Sequence, residues 1–342
     1  MTPTISVALC TYNGARFIEE QLRSVLSQTL PPNEIVLSDD ASSDATVELA
    51  QATVELAQTT VAAFLAGNPA VTLTLRVLRN PAPLGVIKNF EQAATACEGD
   101  LIALCDQDDR WDPKRLATVV EEFRARPDLL LLHGDARLIK DDGSPLGYSL
   151  FQSLAVTPRE KRLIGSGNGF SALLGRNLVT GTTTIFRREL LGRAVPFPHV
   201  WVHDEWLAII AAASGRIDFL TDQLVDYRQH DGNEIGARKL SLRDRVRKFR
   251  EPREERNQNL VDRAEVLLER VIALGDLVPP ANVEKARAKL IHERFRLNLP
   301  GSRWRRVRPV LREAAAGQYS RFSRGRIDAV RDLVQPAGEA AS

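Results

Sequence analysis

The chain of 342 residues is 44% hydrophobic and 26% charged, the balance of a soluble globular protein with room for one large domain and a smaller one. Cys10, Cys97 and Cys105 make no disulfide or zinc pattern, and no stretch approaches the roughly 20 apolar residues that span a bilayer. The net charge of +2 is unevenly spread: from Arg238 onward 25 Lys/Arg face 14 Asp/Glu, whereas the remainder is net −9, so an acidic part precedes a basic one.

The N-terminus lacks a basic region followed by an apolar core, so no signal peptide is expected and a reducing cytoplasm fits. Ile5 to Cys10 is a short apolar run that predicts a strand, broken at Thr11-Tyr12-Asn13-Gly14. A helical pattern from Arg16 to Gln28 ends at Pro31-Pro32, and Glu34 to Ser38 predicts a second strand, closing on Asp39-Asp40-Ala41-Ser42-Ser43-Asp44. Strand, helix and strand in so short a span make a βαβ unit, hence parallel strands with both polar loops at one edge. Asp39 and Asp40 there can accept hydrogen bonds from a nucleoside, while Asp44 suits a helix cap. The next helix contains Ala45-Thr-Val-Glu-Leu-Ala-Gln51 repeated as Ala52 to Gln58. Seven residues drift by only about 20° on a helix, so the duplication lengthens it and keeps its buried face buried.

Val71 to Leu78 alternates as a strand, and Val86 to Ala96 is helical, with Lys88 and Asn89 in its first turn within reach of an anionic ligand. Leu101-Ile-Ala-Leu-Cys105 then runs straight into Asp106-Gln107-Asp108-Asp109. A buried strand that stops at crowded carboxylates, on the edge where open α/β sheets bind ligands, calls for a cation. Hard oxygen ligands suit Mg²⁺ or Mn²⁺ bridging substrate phosphates. A helix is expected from Pro113 to about Arg126, strands at Leu129 to Leu132 and Ala136 to Ile139, and a less regular stretch from 143 to 180. Loop and strand follow from Asn177 to Phe186 and a helix from Arg187 to Arg193; His203-Asp204-Glu205-Trp206 opens an apolar helix. Arg216 to Leu220 and Leu224 to His230 are the last strands, and three or four basic amphipathic helices follow Arg238. Those helices suit a solvated bundle or a surface for anionic lipid headgroups. Nucleic acid is not expected as a partner, because aromatics are not interleaved through the basic segment.

Taken together, Thr11-Tyr-Asn-Gly14, Ser38 to Asp44, Leu84 to Phe90, Cys105 to Trp111, Val179-Thr-Gly-Thr182, His203-Asp204 and Tyr227 to Asn233 resemble, in order, the motifs of family 2 glycosyltransferases of the GT-A fold. Within them the chain is similar to the bacterial rhamnosyltransferase-like group that acts on cell-surface polysaccharides, from Ile5 to about Gly236. The resemblance implies a Rossmann-like, mostly parallel sheet flanked by helices over residues 1–237, followed by a basic helical region over 238–342. It also implies an inverting, metal-dependent transferase. The donor would be a dTDP-, UDP- or GDP-linked sugar, bound through Thr11, Tyr12, Asn13, Asp39, Asp40, Lys88, Asn89, Asp106 and Gln107. Asp108 and His230 would hold Mg²⁺ or Mn²⁺, Asp204 would be the base, and Thr180, Gly181, Thr182, Glu205 and Trp206 would lie on the acceptor side. The acceptor would be a glycan or lipid-linked glycan, and the protein would be cytoplasmic, with peripheral contact at the inner face of the cell membrane. Glu205 is a rival base, and Ala41 stands where related sequences often have Gly. Two other readings are a nucleotidyltransferase, which would use a basic glycine-rich loop after the first strand, and a non-catalytic nucleotide-sugar-binding component of a polysaccharide assembly complex.

Overall fold

A computed structural model of the chain describes residues 2–64, 73–230 and 253–336. The expected strand start at Val71, the motif end at 231–233 and the beginning of the basic segment at 238–252 lie outside the described residues. The chain divides into two compact units. The first comprises Met1–Thr157, Val179–Ala211 and Arg216–Ala237; the second comprises Pro158–Leu178, Ala212–Gly215 and Arg238–Ser342.

In the first unit, β1 (Ile5–Thr11), α1 (Ile18–Leu26) and β2 (Glu34–Asp39) form the expected βαβ unit. All residues of β1 and β2 are buried, as befits strands covered on both faces. The helix α2 (Thr46–Phe64) carries both copies of the heptad, and the equivalent residues Val47 and Val54 are both buried, so the repeat keeps its register against the sheet. Next come β3 (Thr74–Arg79), α3 (Val86–Ala96), β4 (Leu101–Asp106), β5 (Arg110–Trp111) and α4 (Arg115–Ala125). The strands β3, β2, β1 and β4 are parallel neighbours in that order. Thr11 pairs in register with Asp39 and Cys10 with Asp106, so the polar ends of three strands share one edge.

The far half of the sheet departs from expectation. Leu129–Lys140 is one strand, β6, where two were expected, and Pro145–Ser149 is an unforeseen partner strand, β7. Bulges beside Gly134 and Asp135 take up the polar residues without ending β6. Asp135 accepts hydrogen bonds from the N–H groups of Ala136 and Phe151, which satisfies its carboxylate inside the fold. Pro145 and Gly147 hide β7 in the sequence, but a strand off the main run of the sheet tolerates both. After α5 (Leu150–Ser153), α6 (Pro158–Gly165) and α7 (Gly169–Leu173), β8 (Ile185–Arg187) runs antiparallel between β4 and β6. Two short helical turns replace the helix expected from Arg187, a 3₁₀ turn at Arg188–Leu190 and α8 (Leu191–Ala194). The helix α9 (His203–Ser214) starts at His203 itself, and Arg216–Gln229 forms a single strand, β9, parallel to β6 and paired at its far end with β5.

Two histidines of this unit are buried without hydrogen-bond partners: His133, among Phe151 and Phe219, and His203, stacked 3.9 Å above Phe90. Burial pushes both down to a pKa of about 3. The unfolded chain therefore takes up protons below about pH 6.5 that the native state refuses, so stability falls as pH drops through that window. Each histidine is expected to cost roughly 2 kcal/mol at pH 5. His133→Leu should lose about 2 kcal/mol less than the parent between pH 7 and pH 5 in urea melts; parallel pH slopes would contradict this.

The second unit includes α6 and α7 and adds α10 (Arg253–Ala273), α11 (Pro280–Leu297), α12 (Arg303–Ala315), α13 (Gln318–Phe322) and α14 (Arg326–Val334). One apolar cluster in it is built on Leu299, Val310, Tyr319 and Ala329, and Val261, Leu267, Val271 and Leu290 are also buried. A buried polar network accompanies it. Arg296 donates to Asp332 at 2.7 Å and to Glu293 at 3.0 Å, and the Tyr319 hydroxyl donates to Asp332 at 2.8 Å. Buried charges cost desolvation unless fully partnered, and these are. No helix among the described residues is long and apolar enough to cross a membrane.

Candidate active site

The site lies in the first unit, where β1, β2 and β4 end. Gln107 links two of its loops: its amide donates to the Tyr12 carbonyl at 3.0 Å and its oxygen accepts the Tyr12 N–H at 2.8 Å. Gly14 makes room for this bridge, because a Cβ there would stand 2.1 Å from Gln107 Oε1. Gly14→Ala should therefore push Gln107 off Tyr12 and cost about 1–3 kcal/mol of stability, read by thermal melting. An unchanged melting temperature would show that the bridge holds nothing.

The neighbouring loop is knitted from its own polar groups. Asp39 accepts from Thr11 Oγ1 at 2.8 Å and from Ser42 Oγ and N–H at 2.6 and 2.9 Å. Asn13 accepts the Ser43 N–H at 2.9 Å. Ala41 has φ +63°, in the left-handed region, which gives a physical reason why glycine suits that position. Asp40 fastens the loop before α3: its two oxygens accept the backbone N–H groups of Leu84 at 2.6 Å and Gly85 at 2.9 Å. Lys88 and Asn89 are likewise engaged within the protein. Lys88 donates to Glu91 and to the Phe197 carbonyl, and Asn89 is buried against Ser38, accepting its hydroxyl at 2.6 Å.

The acidic loop collects groups from far along the chain. His230 Nε2 lies 2.7 Å from Asp108 Oδ2, and its ring stacks on Phe17 at 5.0 Å. Arg228, not foreseen from the sequence, is the brace. It is buried, its Nε donates to the Asp108 carbonyl at 2.7 Å, its N–H donates to Asp109 at 2.9 Å, and its guanidinium reaches Glu20 and the Asp141 carbonyl. Arg115 is a second unforeseen cation, buried over the Trp111 ring and donating to the Thr182 carbonyl at 2.7 Å. Burial lowers its pKa to about 10, an arginine still charged at neutral pH.

Burial, then the nearby charges of Asp108 and Asp204, push Asp106 up to a pKa of about 8. Burial, Asp108 and Asp106 also raise Asp109 well above the usual carboxylate range. This is an excess of negative charge that a cation would relieve. Among the described residues no three His, Cys, Asp or Glu side chains gather as a ligand set. The donors present are an oxygen and an imidazole nitrogen, Asp108 and His230, and they fit a hard divalent ion whose other positions go to water and phosphate. The cysteines take no part: all three are buried and held as thiols, with Cys97 pushed up to about 12 by burial.

Asp204 sits in the first turn of α9. Its Oδ2 accepts the Gly181 N–H at 2.7 Å and its Oδ1 accepts the Glu205 N–H at 2.7 Å. The 3₁₀ turn Gly181–Thr183 that presents this amide is buried, whereas Thr180 is partly open. A Cβ at Gly181 would come within 3.1 Å of His203 Nε2, which explains the glycine beside the carboxylate. Trp206 corrects an expectation: it is fully buried, donates its indole N–H to the Ala194 carbonyl at 2.7 Å, and belongs to the core, not to an acceptor surface. Three turns of an apolar helix point it inward.

Residues 6–193 match the family described as Glycosyl transferase family 2. An uncharacterized protein of Mycobacterium tuberculosis is 28% identical over 234 residues, 66% of this chain and 59% of that protein, so the chain spans only part of that relative's length. The putative teichuronic acid biosynthesis glycosyltransferase TuaG of Bacillus subtilis is 29% identical over 211 residues, 61% of this chain and 72% of TuaG. Among solved structures, S. aureus TarS 1-349 in complex with UDP-GlcNAc aligns with a TM-score of 0.55 at 19% identity, over 93% of this chain and 89% of that one. The mannosyltransferase PcManGT from Pyrobaculum calidifontis, in complex with GDP-Man and Mn²⁺, aligns with a TM-score of 0.50 at 22% identity, over 93% and 76%. These likenesses are likenesses of fold, and the fold is of the GT-A type. The chain belongs to glycosyltransferase family 2.

Proposed function

We propose that the first unit transfers a sugar from a nucleotide-diphosphate donor to a hydroxyl group of a growing cell-surface polysaccharide or lipid-linked glycan, with inversion at the anomeric carbon. One observation carries this reading. Asp108, just past the end of β4, meets His230 Nε2 at 2.7 Å at the sheet edge where Thr11 and Asp39 also end, a donor pair suited to a cation beside a diphosphate. The names of relatives support it, since TuaG is named for teichuronic acid synthesis and TarS and PcManGT were solved with sugar nucleotides.

In this reading Tyr12, exposed at the rim, offers its ring to the base, and Asp39 keeps acceptor capacity on Oδ2 for the nucleoside. Asp108 and His230 would hold one Mg²⁺ or Mn²⁺, which would supply charge neutralisation for the departing diphosphate. Gly181 and Glu205 N–H groups fix the Asp204 carboxylate as a proton acceptor. Asp204 takes the proton of the acceptor hydroxyl while that oxygen bonds to the anomeric carbon and the bond to the diphosphate breaks. Thr180 and the partly open Glu205 lie on the acceptor side. Rhamnose is the sugar favoured by the resemblance in the motifs.

The test is a panel of dTDP-, UDP- and GDP-sugars with Mn²⁺ or Mg²⁺, read by thermal shift and by release of nucleotide diphosphate. A bound donor at about 100 times its Kd stabilises by roughly 2.7 kcal/mol. Stabilisation and turnover with one donor are expected; binding without turnover on any acceptor would make the protein a nucleotide-sugar-binding component instead.

A further inference from the structure

One face of the second unit combines two features that rarely share exposed surface. The helix α12 presents Trp304, 88% exposed, and Leu311, 58% exposed, one above the other at i and i+7. Arg305, Arg308 and Arg312 are exposed on the same side. None of the three has a carboxylate partner among the described residues. The opposite side is anchored: Val310 is buried, and Arg306 is buried and donates to the carbonyls of Pro300, Gly301 and Gln335. The one acidic residue of α12, Glu313, is turned away and bonded to His292 at 2.9 Å. The packed neighbour α14 also leaves Ile327, Val330 and Val334 exposed beside Arg326.

We propose that this face docks on a bilayer that contains anionic lipids. Exposed arginines are drawn to acidic headgroups, and a tryptophan settles at the headgroup level with its ring on the acyl chains and its N–H in the polar layer. Leu311 and the aliphatic residues of α14 add apolar area of the kind an interfacial helix buries. A nucleic acid would use the arginines and could stack on Trp304, which stands among them although the basic segment otherwise lacks interleaved aromatics. It would leave Leu311, Ile327, Val330 and Val334 in water, and so fits less of the surface. Docking by this face is independent of the sugar-transfer chemistry proposed above.

Tryptophan fluorescence of the intact chain tests it. Trp111, Trp201 and Trp206 are buried, so iodide reaches Trp304 alone. With vesicles of phosphatidylcholine and phosphatidylglycerol at low salt, Trp304 emission should shift to the blue, escape iodide and be quenched by brominated acyl chains. Raising salt should reverse all three, because exposed charges are screened beyond about 10 Å at 0.1 M. Substituting Arg305, Arg308 and Arg312 together by Gln should weaken vesicle partition on the order of 100-fold, and Trp304→Ala should weaken it with melting temperature and nucleotide binding unchanged. No blue shift at low salt, equal binding to pure phosphatidylcholine, or protection by an oligonucleotide or by self-association in place of vesicles would overturn the proposal.

Discussion

Asp204→Asn is expected to lower turnover by about 10²–10⁴-fold, the usual worth of a positioned general base, while donor affinity changes little. The amide oxygen can still accept the Gly181 N–H that now reaches Asp204 Oδ2 at 2.7 Å, at the cost of the Glu205 N–H contact on the other oxygen, so the start of α9 should stay folded. What is lost is the capacity to take a proton. Because the loss falls on a step after binding, kcat should fall and the KM for donor should hold. Glu205→Gln is the control. Glu205 also opens α9 and gives its backbone N–H to Asp204, a contact that Gln keeps, and a mild effect is expected. Steady-state kinetics with isothermal titration of the donor separates the two. A dead Glu205→Gln enzyme beside an active Asp204→Asn enzyme would transfer the base to Glu205.

Asp108→Asn is expected to abolish transfer and to weaken nucleotide-diphosphate binding in Mn²⁺ or Mg²⁺. The substitution removes the charged oxygen that His230 Nε2 meets at 2.7 Å, and with it half of the donor pair for a cation. It also relieves Asp106, one of whose raising charges is Asp108, which works against the loss of the pair with His230, so the variant should still fold without ligand. That separates this variant from a misfolded one: a cooperative melt is kept without ligand, and the stabilisation by nucleotide and metal disappears. Chelation by EDTA should reproduce the loss in the parent protein and do nothing further to the variant. Full activity of the parent in EDTA would sink the metal-dependent reading.

The near half of the sheet is legible because its strands are short apolar runs that stop at polar loops. Ile5 to Cys10, Glu34 to Ser38 and Leu101 to Cys105 each gained only one residue in the structure, and α3 lies where its apolar spacing put it. The far half is less legible because β6 and β9 carry polar residues through bulges, which look in sequence like strand ends. The site was legible as a set of residue types and less so as a set of roles. Asp40 is legible as a carboxylate at the sheet edge, but its backbone partners lie 44 and 45 residues away, and no local pattern announces them. Trp206 is two residues from Asp204 in sequence, and a helix sets residues two apart at about 200°, which sends them to opposite sides. Arg228 was hidden for a related reason: its partners Asp108 and Asp109 are 120 and 119 residues upstream, and only the pairing of β5 with β9 brings them together. An arginine two residues before His230, in the apolar run that ends the last strand, is the signal that could have found it.

The anomeric configuration of the product, followed by proton NMR as it forms from a donor of known configuration, tests the central claim most directly. A single displacement with Asp204 as base inverts the anomeric carbon, so an α-linked donor must give a β-linked product at the first turnover. A product that keeps the donor's configuration would contradict the mechanism and the role given to Asp204 within it.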